Sequence, residues 1–211
     1  MREHPIPSVT EPFQYRAIGF FRGTYLPNDS KAFTRGTLVD SKGEKIDAVV
    51  LGRVMSLMRR HLSLESSHLW VVYPRCRDQD NLHLQITGIW EPSTLSKNNL
   101  DSLDDQNAES DATEEIDELP EGDDFFSIRG ELIYTRPENN DLVIKVRQKP
   151  RNNIKKPMPF KLLIKGEIPL VHLRNFVSLE VRRIGKELTL DKFDVVGPIN
   201  VRGGKRSAGK K

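Results

Sequence analysis

Leu51-Gly52-Arg53-Val54-Met55-Ser56-Leu57-Met58-Arg59-Arg60-His61-Leu62 is the stretch on which the fold turns. Leu51, Val54, Met55, Met58 and Leu62 recur at the spacing of one apolar helical face. Arg53, Ser56, Arg59 and Arg60 fall elsewhere and make the outer face basic. The spacing predicts a helix over about 51–62. The segments on either side carry the shorter period of strands, so this helix interrupts a β-rich chain.

Ahead of it, Phe13 to Tyr25 reads as a long aromatic strand, with Gly19 and Gly23 allowing the bends of a coiled barrel strand. A second strand spans about Ala32 to Val39. Asp40-Ser41-Lys42-Gly43-Glu44 reads as a hairpin loop, and a third strand runs about Lys45 to Val50. After the helix, His68 to Tyr73 is a fourth strand, Arg75 to Asn81 a polar turn, and the alternating Leu82 to Trp90 a fifth. Three strands, a helix and two strands resemble the OB-fold, a five-stranded Greek-key barrel with its helix between strands three and four. A small SH3-like barrel or another α+β fold gives a similar order. Leu51-Gly52-Arg53-Val54, Trp70-Val71-Val72-Tyr73-Pro74-Arg75 and Gly88-Ile89-Trp90 also resemble an uncharacterised cyanobacterial family. That resemblance implies a bacterial cytoplasm and no particular activity.

The second half reads as a degraded repeat. Phe125 to Tyr134 parallels the first strand, again with a glycine after an aromatic start. Leu142 to Lys149, Pro159 to Glu167, Phe176 to Ile184 and Leu188 to Val196 supply the other strands. Ile168 to Arg174 stands where the helix was, too short and proline-bearing for much more than one turn. The expected architecture is mainly β: two small OB-like five-stranded barrels, at 1–97 and 125–200, joined by an acidic disordered linker at 98–124 and followed by a basic glycine-rich tail at 201–211.

The linker hides the charge of the rest. Asp101 to Asp124 holds twelve carboxylates and no Lys or Arg. Its sizeable apolar residues are Leu103, Ile116 and Leu119, too few to offset the entropy lost on ordering. Residues 125–211 carry 20 basic and 8 acidic residues, a net of +12, although the whole chain is only +3. Twelve carboxylates tethered beside such a domain are either a simple spacer or a competitor for its anionic ligand.

Charge and topology converge on the second barrel. Leu142, Ile144 and Val146 face one way, whereas Val143, Lys145, Arg147 and Lys149 face the other, with cations roughly 6.6–6.8 Å apart. Arg151, Lys155 and Lys156 sit in the basic loop that follows, and Lys161 and Lys165 share a face of the next strand. Strands two and three are the face on which OB-folds hold oligonucleotides. Tyr134 and Phe160 are stacking candidates, Phe160 equally a core residue. The expected partner is RNA or single-stranded DNA, gripped mainly through phosphates by these residues and the tail. The alternatives are a solvated hairpin face, whose lysines block aggregation, and a protein-docking adaptor using both barrels. Arg22, Arg35, Arg75 and Arg77 form a smaller candidate patch on the first barrel, or merely scattered charge.

Nothing points to catalysis. His4, His61, His68, His83 and His172 show no ligand-like pairing, the carboxylates crowd into the linker, and the sole cysteine, Cys76, excludes an intrachain disulfide framework. No cofactor motif survives inspection: Gly204 to Lys211 mimics a phosphate loop, but Lys211 stands where Ser or Thr is required. No run approaches the roughly 20 apolar residues of a membrane helix, and Met1 to Pro5 lacks a signal-peptide core. A cytoplasmic, non-enzymatic binding protein is the expectation.

Overall fold

The computed structural model describes residues 4–29, 32–77, 81–91, 118–148 and 158–199. The first barrel is built from β1 (Arg16–Asp29), β2 (Ala32–Val39), β3 (Lys45–Val50), α1 (Gly52–His61), β4 (His68–Arg77) and β5 (Asn81–Ile89). The second contains β6 (Phe125–Arg136), β7 (Asp141–Val146), β8 (Phe160–Lys165), β9 (Asn175–Ile184) and β10 (Glu187–Pro198). A single 3-10 turn, Leu170–His172, occupies the place of the helix. The first strand begins at Arg16 rather than Phe13 and runs on past Tyr25 to Asp29, and Arg75 to Arg77 belong to β4 rather than to a turn.

Both halves close in the same order. In the first, β1 pairs β2, β2 pairs β3, β3 pairs β5 in parallel, β5 pairs β4, and β4 returns to β1. In the second, β6, β7, β8, β10 and β9 repeat that circuit, again with a parallel pairing, β8 to β10. This is the expected OB-type barrel, twice. A bending glycine marks the same place in each: Thr24 pairs Val39 just after Gly23, and Glu131 pairs Lys145 just after Gly130. A Cβ on Gly23 would strike the Val39 carbonyl, and one on Gly130 the Lys145 carbonyl. The helix lays Val54 and Met58 into the core and leaves Arg53 and Arg59 exposed. Polar tips inside are satisfied. Trp70 donates from Nε1 to the Gly23 carbonyl at 2.8 Å, and Tyr25 from its hydroxyl to the Phe33 carbonyl at 2.9 Å. Burial pushes the Tyr25 phenol up to about 12.

The barrels are fused by strand pairing. Arg16 to Gly19 of β1 run antiparallel to Phe126 to Arg129 of β6, making one ten-stranded sheet. Gly19 lies at the crossing, where any Cβ would collide with the Phe126 ring and the Phe125 carbonyl. One buried cluster runs through both halves, from Phe21 and Trp70 to Ile128 and Val181. A second, with Phe20, Leu69, Val71 and Phe125, is covered by Ile6 of the lead-in and by Leu119. Leu119 sits inside the stretch expected to be solvated, so the end of the acidic segment departs from that reading: Glu118 to Asp124 packs on the barrels, while 92–117 lies outside the described residues. Burying an apolar side chain contributes roughly 1.5–3 kcal/mol, enough to hold such a short strap.

Charges complete the seam. Arg16 and Arg129 are direct cross-strand neighbours, an arrangement that repels. The lead-in answers it with carbonyls: Pro7 accepts from Arg16, and Pro12 and Gln14 accept from Arg129 at 2.6 and 3.3 Å. At the other end, Arg183 of β9 is buried against three carboxylates from two segments, the β2–β3 loop and the end of the acidic stretch. Asp40 and Asp124 lie 2.7 Å away and Glu44 3.4 Å, and its guanidinium covers the Phe21 ring. Burial raises both carboxyls, yet Arg183 and the loop amides bring Asp40 below its usual range, whereas Asp124 stays above it.

Two outcomes follow for urea unfolding of the full chain. Gly19→Val lowers stability by about 1–3 kcal/mol by overpacking the crossing. Arg183→Ala removes the buried cation shared by three partly exposed carboxylates and costs about 1.5–3 kcal/mol; a loss under about 0.5 kcal/mol would show that Arg183 does not hold the loop and the acidic segment as described.

Candidate nucleic-acid interface

The outer face of β6, β7 and β8 is a grid set by register. Arg136, Asp141 and Lys165 form one row, Tyr134, Val143 and Leu163 the next, and Glu131, Lys145 and Lys161 the third. A bulge between Leu132 and Tyr134 puts Tyr134 and Arg136 on this face with Glu131; simple alternation along β6 would turn Tyr134 inward. Leu142, Ile144 and Val146 point into the core, as their spacing predicts. Tyr134 is 40% exposed, a ring available for stacking between flanking cations.

Much of this charge is already paired, which spacing along the chain does not reveal. Glu131 is buried, and its carboxylate takes the Tyr15 hydroxyl at 2.5 Å, Arg147 at 2.6 Å and Lys145 at 3.3 Å. Burial works to raise the Glu131 carboxyl, but the Tyr15 hydroxyl and the two cations outweigh it and hold the group below its ordinary range. Burial and the same carboxylate push the Tyr15 phenol well up. Lys165 is bonded to Asp141 at 2.7 Å. Lys161 and Arg136 are exposed and have no ion-pair partner among the described residues. The signal for Glu131 was its place just after the bending glycine, which register sets opposite Lys145.

Lys149, Arg151, Lys155 and Lys156, and the tail from 201, lie outside the described residues. The other candidates are accounted for. Phe160 is half-buried against the core, with the Arg75 guanidinium 3.8 Å from its ring centre. Burial lowers Arg75 to about 10, against a small opposing effect of Tyr73, so it stays charged at neutral pH. Arg22 is bound to Asp123 at 2.9 Å. The first-barrel patch is therefore split, with Arg75 serving as a clamp between barrels. His83, opposite Arg75 on β5, is buried, and its Nδ1 has no hydrogen-bond partner among the described residues. Burial and then Arg77 and Arg75 depress its pKa, which favours the neutral ring.

Among the described residues no group of three or more His, Cys, Asp or Glu is placed to hold a metal ion, and no helix is long and apolar enough to cross a membrane. The arrangement offers cations and one exposed ring, suited to gripping a polyanion.

Two family models match the chain. Residues 17–97 match one described as the N-terminal OB-fold domain of the PatR RNA-binding protein. Residues 128–197 match one described as a C-terminal cyanobacterial OB-fold-like RNA-binding domain. No curated protein matches the chain.

Glu131 gives a pH prediction with a definite sign. A carboxyl depressed by folding adds stability above the unfolded value of 4.5, and that stability is lost as pH falls through the lower folded value. Thermal melts across the acid range will therefore show Glu131→Gln losing part of the acid-dependent drop seen in the parent; coincident pH profiles would show that the three partners do not hold Glu131 ionised.

Proposed function

We infer that this chain, built of two OB-fold domains each similar to a domain described as RNA-binding, is itself an RNA-binding protein. Its role is to hold single-stranded RNA, and the outer face of the second barrel is the main contact. The observation that carries this reading is the three-row grid, in which an exposed Tyr134 lies between rows bearing Lys161 and Arg136. A cationic track with an aromatic platform holds single strands with little dependence on sequence. Strands two and three are where OB-folds take oligonucleotides, and β7 and β8 are those strands here.

The paired cations still contribute. Tyr15 stays protonated, so Glu131 faces both Lys145 and Arg147 and leaves one surplus positive charge. A phosphate can replace part of that pairing without stranding a buried group, because Glu131 keeps the Tyr15 hydroxyl. The sequence around the grid adds Lys149, Arg151, Lys155, Lys156 and the basic tail to the reachable charge. Single-stranded DNA would be held by the same phosphate contacts, and RNA is preferred on the descriptions of both domains. The reading is one of binding rather than catalysis.

The test is titration of the full chain into fluorescent single-stranded RNA across a salt series. Affinity falls steeply as salt rises, with a slope near −0.7 per phosphate neutralised. Lys161→Glu reduces that slope by about 0.7 or more, and Tyr134→Ala weakens binding by about 1–3 kcal/mol at fixed salt. No binding at low salt would end this reading and leave the protein-docking alternative, for which Leu170 and Val171, exposed on the 3-10 turn, are the surface to examine.

A further inference from the structure

A cavity of about 290 Å³ opens between the barrels. Cys76 and Leu82, where β4 leads into β5, wall one side. Leu163 and the bonded pair Lys165–Asp141, from the outer face of β7 and β8, form the other, and Lys186 of the β9–β10 turn with Glu187 and Leu188 at the start of β10 close it. An isolated OB barrel presents strands two and three, with the loop between strands four and five, as an open platform. Here the first barrel stands along β8. Arg75 covers Phe160 at the start of that strand, and Cys76 and Leu82 share the cavity with Leu163 and Lys165 near its end. The platform becomes a slot of mixed lining, with leucines and the Cys76 thiol inside, the paired Lys165 and Asp141 on one wall, and Lys186 beside Glu187 at the rim.

Its dimensions select the occupant. The volume of about 290 Å³ lies just below the roughly 300–1,000 Å³ usual for ligand pockets, which suits one nucleotide and not a folded segment. Leu163 is partly exposed and, with the nearly buried Leu82 and Leu188 beneath it, gives a surface on which a base can lie, and Lys186, exposed at the rim beside Glu187, can meet a phosphate. Leu163 and Lys165 belong both to the slot and to the grid of the proposed interface, so a strand following β7 and β8 passes the opening. Single-stranded RNA is read with its bases splayed out of the stack.

We propose that the slot takes one splayed-out nucleotide of the bound RNA, its base against Leu82, Leu163 and Leu188 and its phosphate at Lys186, so that both barrels hold one strand together. This rests on the RNA-binding reading and adds the first barrel to it.

Cys76, the only cysteine in the chain, reports occupancy of the slot. The full chain is alkylated with iodoacetamide, alone and saturated with a single-stranded RNA of about 15 nucleotides, and the product is followed by mass. Bound RNA slows alkylation by about tenfold, because thiol reactivity tracks exposure. Lys186→Glu and the slot-filling Leu163→Trp each weaken RNA binding about tenfold. Unchanged alkylation of the RNA-saturated chain overturns the slot and leaves the RNA-binding reading standing, whereas absence of RNA binding at low salt overturns both. If Leu163→Trp does not fold, Lys186→Glu decides, since its side chain is exposed on a turn; parental affinity in that variant overturns the proposal.

Discussion

The pairing of Arg16 to Gly19 with Phe126 to Arg129 is the contact on which the rest depends. Barrels ordinarily close on themselves and leave no edge. In this chain the start of β1 lies ahead of its pairings with β2 and β4, so its backbone groups have no partner in their own barrel. β6 supplies them while pairing β9 on its other side. Backbone groups at a buried seam need partners almost without exception, and strands must approach to about 4.8 Å to provide them. Gly19 is the residue that permits this approach, and the covering contributions of Ile6 and Leu119 follow from the apolar outer surface that the seam creates.

Charge is arranged around the same constraint. Arg16 and Arg129 cross at the seam and are answered by backbone carbonyls, which satisfy the donors without cancelling the charge. Arg183 is answered by carboxylates of the first barrel's hairpin loop and the end of the acidic segment, which lock the halves in one orientation. The described end of that segment is thus structural: Asp123 holds Arg22, Asp124 holds Arg183, and Glu121 meets His4 at 3.3 Å. Whatever the remaining carboxylates do, these are committed to the fold. On the second barrel Glu131 tempers a cationic face instead of neutralising it.

Much of the fold could be read from the residues. Helix α1 declared itself through the spacing of Val54 and Met58, β2 and β3 through the hairpin loop at Gly43, and β5 through its alternation. The shared topology of the two halves was visible in the recurrence of a glycine after an aromatic strand start. The seam was harder, because no local period records a partner a hundred residues away. It did leave a trace: Phe20-Phe21, Leu69-Trp70-Val71-Val72 and Phe125-Phe126 are apolar without alternation, as strands covered on both faces must be. At the candidate interface, alternation sorted Lys145 and Arg147 outward correctly. Their pairing with Glu131 depends on register between strands, and the outward turn of Tyr134 depends on a bulge. Neither is encoded in spacing along one segment.

The distance along the chain between the partners at the seam has a kinetic consequence. Gly19 meets Phe126 only after the first barrel, the acidic segment and the start of β6 have been synthesised. Until then the first barrel carries an unsatisfied edge and a bare apolar patch at Phe20 and Leu69. Closing a longer loop adds entropy cost only logarithmically, so the length of the acidic segment hardly affects the equilibrium, but contacts of high sequence separation form slowly. During translation the nascent first half is therefore the vulnerable species, and a stretch of twelve carboxylates emerging directly behind it is well suited to keeping neighbouring copies apart until β6 arrives.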